Sequence, residues 1–117
     1  MNNLEWTWFR GDTCEKMINI SGWNKEIDQM YFTMKREEKD KEVVIQKKLG
    51  SGITKITDTE TESYLLVIDA TDTDNLEPDY GYVFDIEIVS GSAKRTIVKG
   101  TITLTTDITQ TINEVTI

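Results

Sequence analysis

At 117 residues the chain fits one domain, long enough to bury about two thirds of its unfolded surface. Its 13 basic against 21 acidic residues leave a net charge of -8, which argues against a phosphate-backbone binder, since that needs a basic stripe. There is no His, one Cys and no apolar run near the ~18 residues of a membrane helix; an intrachain disulfide, the commonest zinc ligand and a spanning helix are therefore absent.

The start, Met1-Asn2-Asn3-Leu4-Glu5, has neither the basic end nor the apolar stretch of a signal peptide. Asn19-Ile20-Ser21 therefore reads as a chance match to a glycosylation acceptor. Residues 5–10 alternate as a short aromatic strand with Trp6 and Trp8 on one side. Two large rings on one face are read as core or interface anchors. Gly11-Asp12 then turns the chain into a strand over 14–20, with Ile18 and Ile20 on one face. Polar residues 24–28, just after Trp23, form a loop.

Residues 29–35 place Met30, Phe32 and Met34 on one face, and Tyr31, Thr33 and Lys35 on the other. The charge-dense run Arg36-Glu37-Glu38-Lys39-Asp40-Lys41 is a solvated hairpin tip, since its basic residues are interleaved with acids. A strand over 42–49 follows and is broken by Gly50-Ser51-Gly52. Ile53 and Ile56 mark a short strand, and 58–62 a polar turn. Tyr64-Leu65-Leu66-Val67-Ile68 is a continuous apolar run, the pattern of a central strand.

The acidic connection 69–79 comes next, with Thr71 or Asp72 suited to cap one helical turn ending at Leu76. Pro78 cannot continue a ladder, so the chain changes direction there. Tyr82 stands four residues on, where a β-sandwich places the corner tyrosine whose hydroxyl bonds back to the preceding turn. We read Leu76, Pro78 and Tyr82 as fold determinants. The strand 82–89 pairs through a turn at Ser90-Gly91-Ser92 with a strand over 95–106, in which Gly100 suggests a bulge. Seven or eight short strands with turns between them predict an all-β fold, an antiparallel immunoglobulin-like β-sandwich. The domain spans 1–109, and 110–117 is a polar tail or an extra edge strand.

Chemistry is hard to find. Nucleophilic catalysis needs an activated side chain beside a base, and Cys14 lies on a strand without a His anywhere. Asp69, Asp72, Asp74, Glu77 and Asp79 have spacings that suit a calcium loop, but the sharp-turn Gly and the terminal bidentate Glu are missing. We read them as a solvated turn. Arg10-Gly11-Asp12 spells an integrin-binding tripeptide, which three residues at a turn match easily by chance. The expectation is a non-enzyme with no cofactor and no metal.

The order of motifs resembles a family of immunoglobulin-like domains in structural proteins of tailed bacteriophages, those of upper baseplate proteins among them. The likeness is carried by Arg10-Gly11-Asp12-Thr13, Tyr31-Phe32-Thr33-Met34-Lys35, Ile45-Gln46-Lys47-Lys48-Leu49 with Gly52-Ile53, and Asp72-Thr73-Asp74-Asn75-Leu76. It continues through Tyr80-Gly81-Tyr82-Val83-Phe84-Asp85-Ile86, Thr96-Ile97-Val98-Lys99-Gly100 and Thr106-Asp107-Ile108-Thr109. It spans about residues 9–109, and each motif is a strand-and-turn pattern whose weight comes from order and spacing. The chain lacks the long helical or receptor-binding parts of a whole baseplate protein.

The resemblance implies a non-catalytic virion protein of tail, baseplate, neck or head decoration, made in the bacterial cytoplasm. Its partners would be copies of itself and other virion proteins, with neither nucleic acid nor membrane. The interface candidates are Trp6, Trp8 and Trp23 together with Ile112, Val115 and Ile117 of the C-terminal end. A second reading, a carbohydrate-binding or cell-surface-binding module, would use Trp6, Trp8, Trp23 or Tyr80 and requires exposed aromatics on one face.

Overall fold

The computed structural model describes residues 2–23, 25–56 and 62–106. Within these the chain is all-β apart from one helical turn. Eight strands are present: β1 (Asn2–Phe9), β2 (Cys14–Ile20), β3 (Gln29–Lys35), β4 (Ile45–Leu49), β5 (Gly52–Ile56), β6 (Glu62–Ile68), β7 (Gly81–Ser90) and β8 (Ala93–Thr105). The helical turn, α1 (Ala70–Thr73), lies between β6 and β7. The strands form one sheet in the order β1-β8-β7-β3-β4-β5-β6-β2.

The sheet is mixed, which corrects the purely antiparallel expectation. β1 runs parallel to β8 along its whole length, from Asn2 opposite Val98 to Phe9 opposite Thr105. β4 and β5 also pair in parallel, but only through Lys48–Gly52 and Leu49–Ile53. There the chain makes a tight corner, with Gly50 at φ 89° and Gly52 at φ 100°, a region open to residues without a Cβ. The other five pairings are antiparallel. The sheet curls almost into a barrel, so its two edge strands approach: Lys16 Nζ of β2 is 5.3 Å from the Trp6 ring centre of β1.

One face of every strand supplies the core. Met30, Phe32 and Met34 of β3 are fully buried, as their alternation predicts. Ile86 and Ile88 of β7, Leu66 and Ile68 of β6, and Ile102 and Leu104 of β8 meet them. Each such side chain contributes about 1.5–3 kcal/mol relative to exposure. The apolar run 64–68 is not buried on both faces: Tyr64, Leu66 and Ile68 point inward while Leu65 and Val67 are half-buried. Ile27 joins the core from the otherwise polar β2–β3 loop, which is therefore more than the solvated connection its composition suggests.

Three further expectations need correction. The helical turn is capped by Asp69 and not by Thr71 or Asp72; Asp72 is its third residue, and its Oδ2 accepts from the Asp69 N–H at 2.7 Å. The strand expected over 42–49 begins only at Ile45, because the residues before it have no alternating side to bury and Val43 is exposed. Gly100 is not a bulge. The irregularity lies at Ile97, left over between the pairs Ile86–Val98 and Glu87–Thr96, whereas a Cβ on Gly100 would collide with the Leu4 carbonyl of β1.

Candidate interaction surfaces

The corner after Pro78 is built as the alternation and the proline suggest. Asp79 adopts φ 56°, a left-handed conformation that Asp tolerates, and its N–H donates to the Leu104 carbonyl at 2.5 Å. The chain is thereby clamped to β8 before β7 starts. The buried Tyr82 hydroxyl donates to the Glu77 carbonyl at 3.1 Å, reaching back over Pro78. Tyr80 packs edge-on against Tyr82 with ring centres 4.9 Å apart, and Arg36 covers Tyr80 while its Nη2 pairs with Glu77 at 2.6 Å. Leu76 is half-buried against the core. The fold determinants therefore act together at one end of the sheet.

The loop Arg10-Gly11-Asp12 is fastened to the same end. The Gly11 N–H donates to Thr73 Oγ1 at 2.9 Å, and Arg10 Nη1 reaches the Leu76 carbonyl at 3.4 Å. Asp72 of the acidic connection pairs with Lys47 at 2.8 Å. No group of three or more potential metal ligands exists among the described residues. The connection holds the corner instead.

The interface candidates separate into two places. Trp6 and Trp8 stack on each other at 5.6 Å, and Trp6 also stacks on Phe84 at 4.4 Å. Trp8 is buried, and its Nε1 has no hydrogen-bond partner among the described residues. Both rings thus pack β1 onto the core, while Glu5, Thr7 and Phe9 are exposed and the outer backbone edge of β1 pairs with no strand among the described residues. Ile112, Val115 and Ile117 lie outside the described residues.

Trp23 is at the other end of the molecule. β2 runs from Cys14, opposite Ile68, to Ile20, opposite Glu62, and β3 runs from Gln29, opposite Val89, to Lys35, opposite Val83. The loop carrying Trp23 and the β7–β8 turn therefore share the end away from the Tyr82 corner. Trp23 Nε1 donates to Ser90 Oγ at 3.0 Å, which fixes the half-buried ring beside a cleft of about 610 Å³. Ile20, Ile88, Lys94, Arg95 and Ile97 line that cleft with it. The Lys25 ammonium and the Arg95 guanidinium lie 5.7 and 5.8 Å from the Trp23 ring centre, within cation–π range. Lys25 is local to Trp23, but Lys94 and Arg95 are about seventy residues away and only the β7–β8 hairpin brings them to the same cleft.

A second surface depression, about 380 Å³, crosses the outer face of β3, β7 and β8 at Thr33, Lys35, Asp85, Thr96 and Lys99. Burial, and after it the neighbouring Glu87, push the Asp85 carboxyl above its ordinary range, while Lys35 and Lys99 act the other way. Burial likewise pushes the Cys14 thiol up, which disfavours the nucleophilic thiolate. No known family profile and no curated protein matches this chain.

Proposed function

We propose that this chain is a non-catalytic structural protein of a tailed-bacteriophage virion, an immunoglobulin-like β-sandwich that acts by assembling with copies of itself and other virion proteins. The observation that carries the reading is the Tyr82 corner: a buried tyrosine at the start of a strand, bonded to backbone five residues upstream, beyond a turn proline. The strand neighbours agree with such a plan. Within the single sheet, β3-β7-β8 and β2-β6-β5 have the neighbour order of the C-F-G and B-E-D strands of an immunoglobulin sandwich, which supports the reading.

The motif order from residue 9 to residue 109 supports a phage structural family, and the virion is the corresponding location. Assembly is supported by the sheet's two ends, since β1 and β2 each pair on one side only among the described residues. Open edges of that kind accept a strand from a neighbour. The aromatic side chains support carbohydrate recognition less well, because Trp6 and Trp8 are spent on packing and Trp23 stands apart from them.

Light scattering on the purified chain, alone and mixed with the products of the genes flanking its own, tests the reading. Self-association or a stoichiometric complex with a flanking product is the expected result. A chain that stays monomeric at all concentrations and binds none of them would sink it.

A further inference from the structure

The Trp23 cleft is unusual for so acidic a protein. Two cations, Lys25 and Arg95, lie against the Trp23 ring, and a third, Lys94, lines the cleft beside Arg95. The ion pairs among the described residues join Arg36 to Glu77, Lys47 to Asp72 and Lys99 to Glu38, so none of the three has a carboxylate partner there. Among the acids at this end, Asp28 uses its Oδ2 to accept from the Gly91 N–H of the β7–β8 turn, and Glu26, Glu62 and Glu87 form no ion pair with the three cations. Lys25 and Arg95 are thus held against Trp23, with Lys94 beside them, and none of the three is in an ion pair among the described residues.

The opposite end shows the converse. Of the five acids in the 69–79 connection, Asp72 and Glu77 are paired with Lys47 and Arg36. Asp69, Asp74 and Asp79 are exposed and have no cation within ion-pair distance among the described residues. Asp79 is held rigidly by its backbone bond to Leu104, and Asp69 by its place at the head of α1. One pole thus presents exposed carboxylates outside any ion pair among the described residues, and the other a cationic cleft.

We propose that the Trp23 cleft receives the acidic 69–79 connection of a second copy, a head-to-tail contact that rests on the assembly reading above. The two patches lie at different ends of the sheet, so the contact is heterologous and repeats, giving a stack or a ring and not a closed two-fold dimer. Lys25, Lys94 and Arg95 meet Asp69, Asp74 and Asp79, with the Trp23 ring keeping the Lys25 and Arg95 head groups in place. Exposed pairs of this kind are screened by salt, so the contact weakens as ionic strength rises.

Sedimentation velocity at low and high salt, on three forms of the full chain, tests this. The wild type is expected to form species larger than a monomer at low salt and to dissociate on adding salt. A cleft variant, Lys25→Gln with Lys94→Gln and Arg95→Gln, and a pole variant, Asp69→Asn with Asp74→Asn and Asp79→Asn, should each associate roughly tenfold more weakly. Asn serves equally well as a helix cap and in the left-handed region, so the pole variant keeps its local backbone. Mixed in equal amounts, the two variants should form a one-to-one dimer and nothing longer, because each retains one working half.

Association unchanged in the cleft variant would overturn the proposal while leaving assembly through another face intact. A wild-type chain that is monomeric at low salt overturns it too; the assembly reading then falls only if the flanking-gene products also fail to bind.

Discussion

Tyr82 has two roles that are separable by one atom. Its ring fills the core beside Tyr80, and its hydroxyl ties the end of the acidic connection to the start of β7. Tyr82→Phe keeps the ring and removes the bond to Glu77, so it should cost about 1 kcal/mol, read as a lower urea midpoint with an unchanged slope. An unchanged midpoint would mean the corner does not contribute to stability. Asp85 is the converse case, a side chain whose charge opposes folding. Its carboxyl titrates higher when folded, chiefly through burial, so ionisation costs stability at neutral pH, and that cost is relieved as pH falls through the folded value. Asp85→Asn should therefore raise the denaturation midpoint at pH 7, with the gain shrinking in acid as the wild-type carboxyl becomes protonated. A gain that is constant with pH would place its origin elsewhere.

Among the elements, β1 depends most on a distant residue. It lies parallel to β8 in contact so close that position 100 has no room for a Cβ beside the Leu4 carbonyl. Gly100→Ala should cost about 1–3 kcal/mol through overpacking. Hydrogen exchange would locate the loss: amides of β1 should exchange faster while those of β3 and β7 stay protected. Uniform loss of protection would argue that β1 is not separately displaced. The elements also show where alternation is a sound guide. In β3 the period-2 pattern of Gln29–Lys35 specified both the strand limits and the buried face, because every second residue is large and apolar. In β4 the residues Glu42-Val43-Val44 before Ile45 carried no such alternation, and the strand is correspondingly shorter than expected. Gly100 signalled an irregularity without revealing its kind, since a bulge and a close strand contact both favour a missing side chain.

For the molecule as a whole, local sequence determined what each segment does by itself. Alternating apolar residues set the strands and their inward faces, Pro78 and the glycines set the corners, and Pro78 followed by Tyr82 announced a hydroxyl reaching back across the turn. Those features depend on neighbours within a few residues, so one chain suffices to read them. Beyond the β3–β4 and β7–β8 hairpins, which the turns announce, the tertiary structure alone decided which strands meet. The parallel pairing of β1 with β8 joins residues nearly a hundred positions apart, and the curl of the sheet brings Lys16 over Trp6. The same holds for the candidate site. Trp23 was visible as an aromatic in a loop, but Ser90, Lys94 and Arg95 become its neighbours only when the β7–β8 hairpin arrives beside it. Side-chain alternation specifies a face without specifying a partner strand, and partner choice is settled only by the joint closure of the whole core.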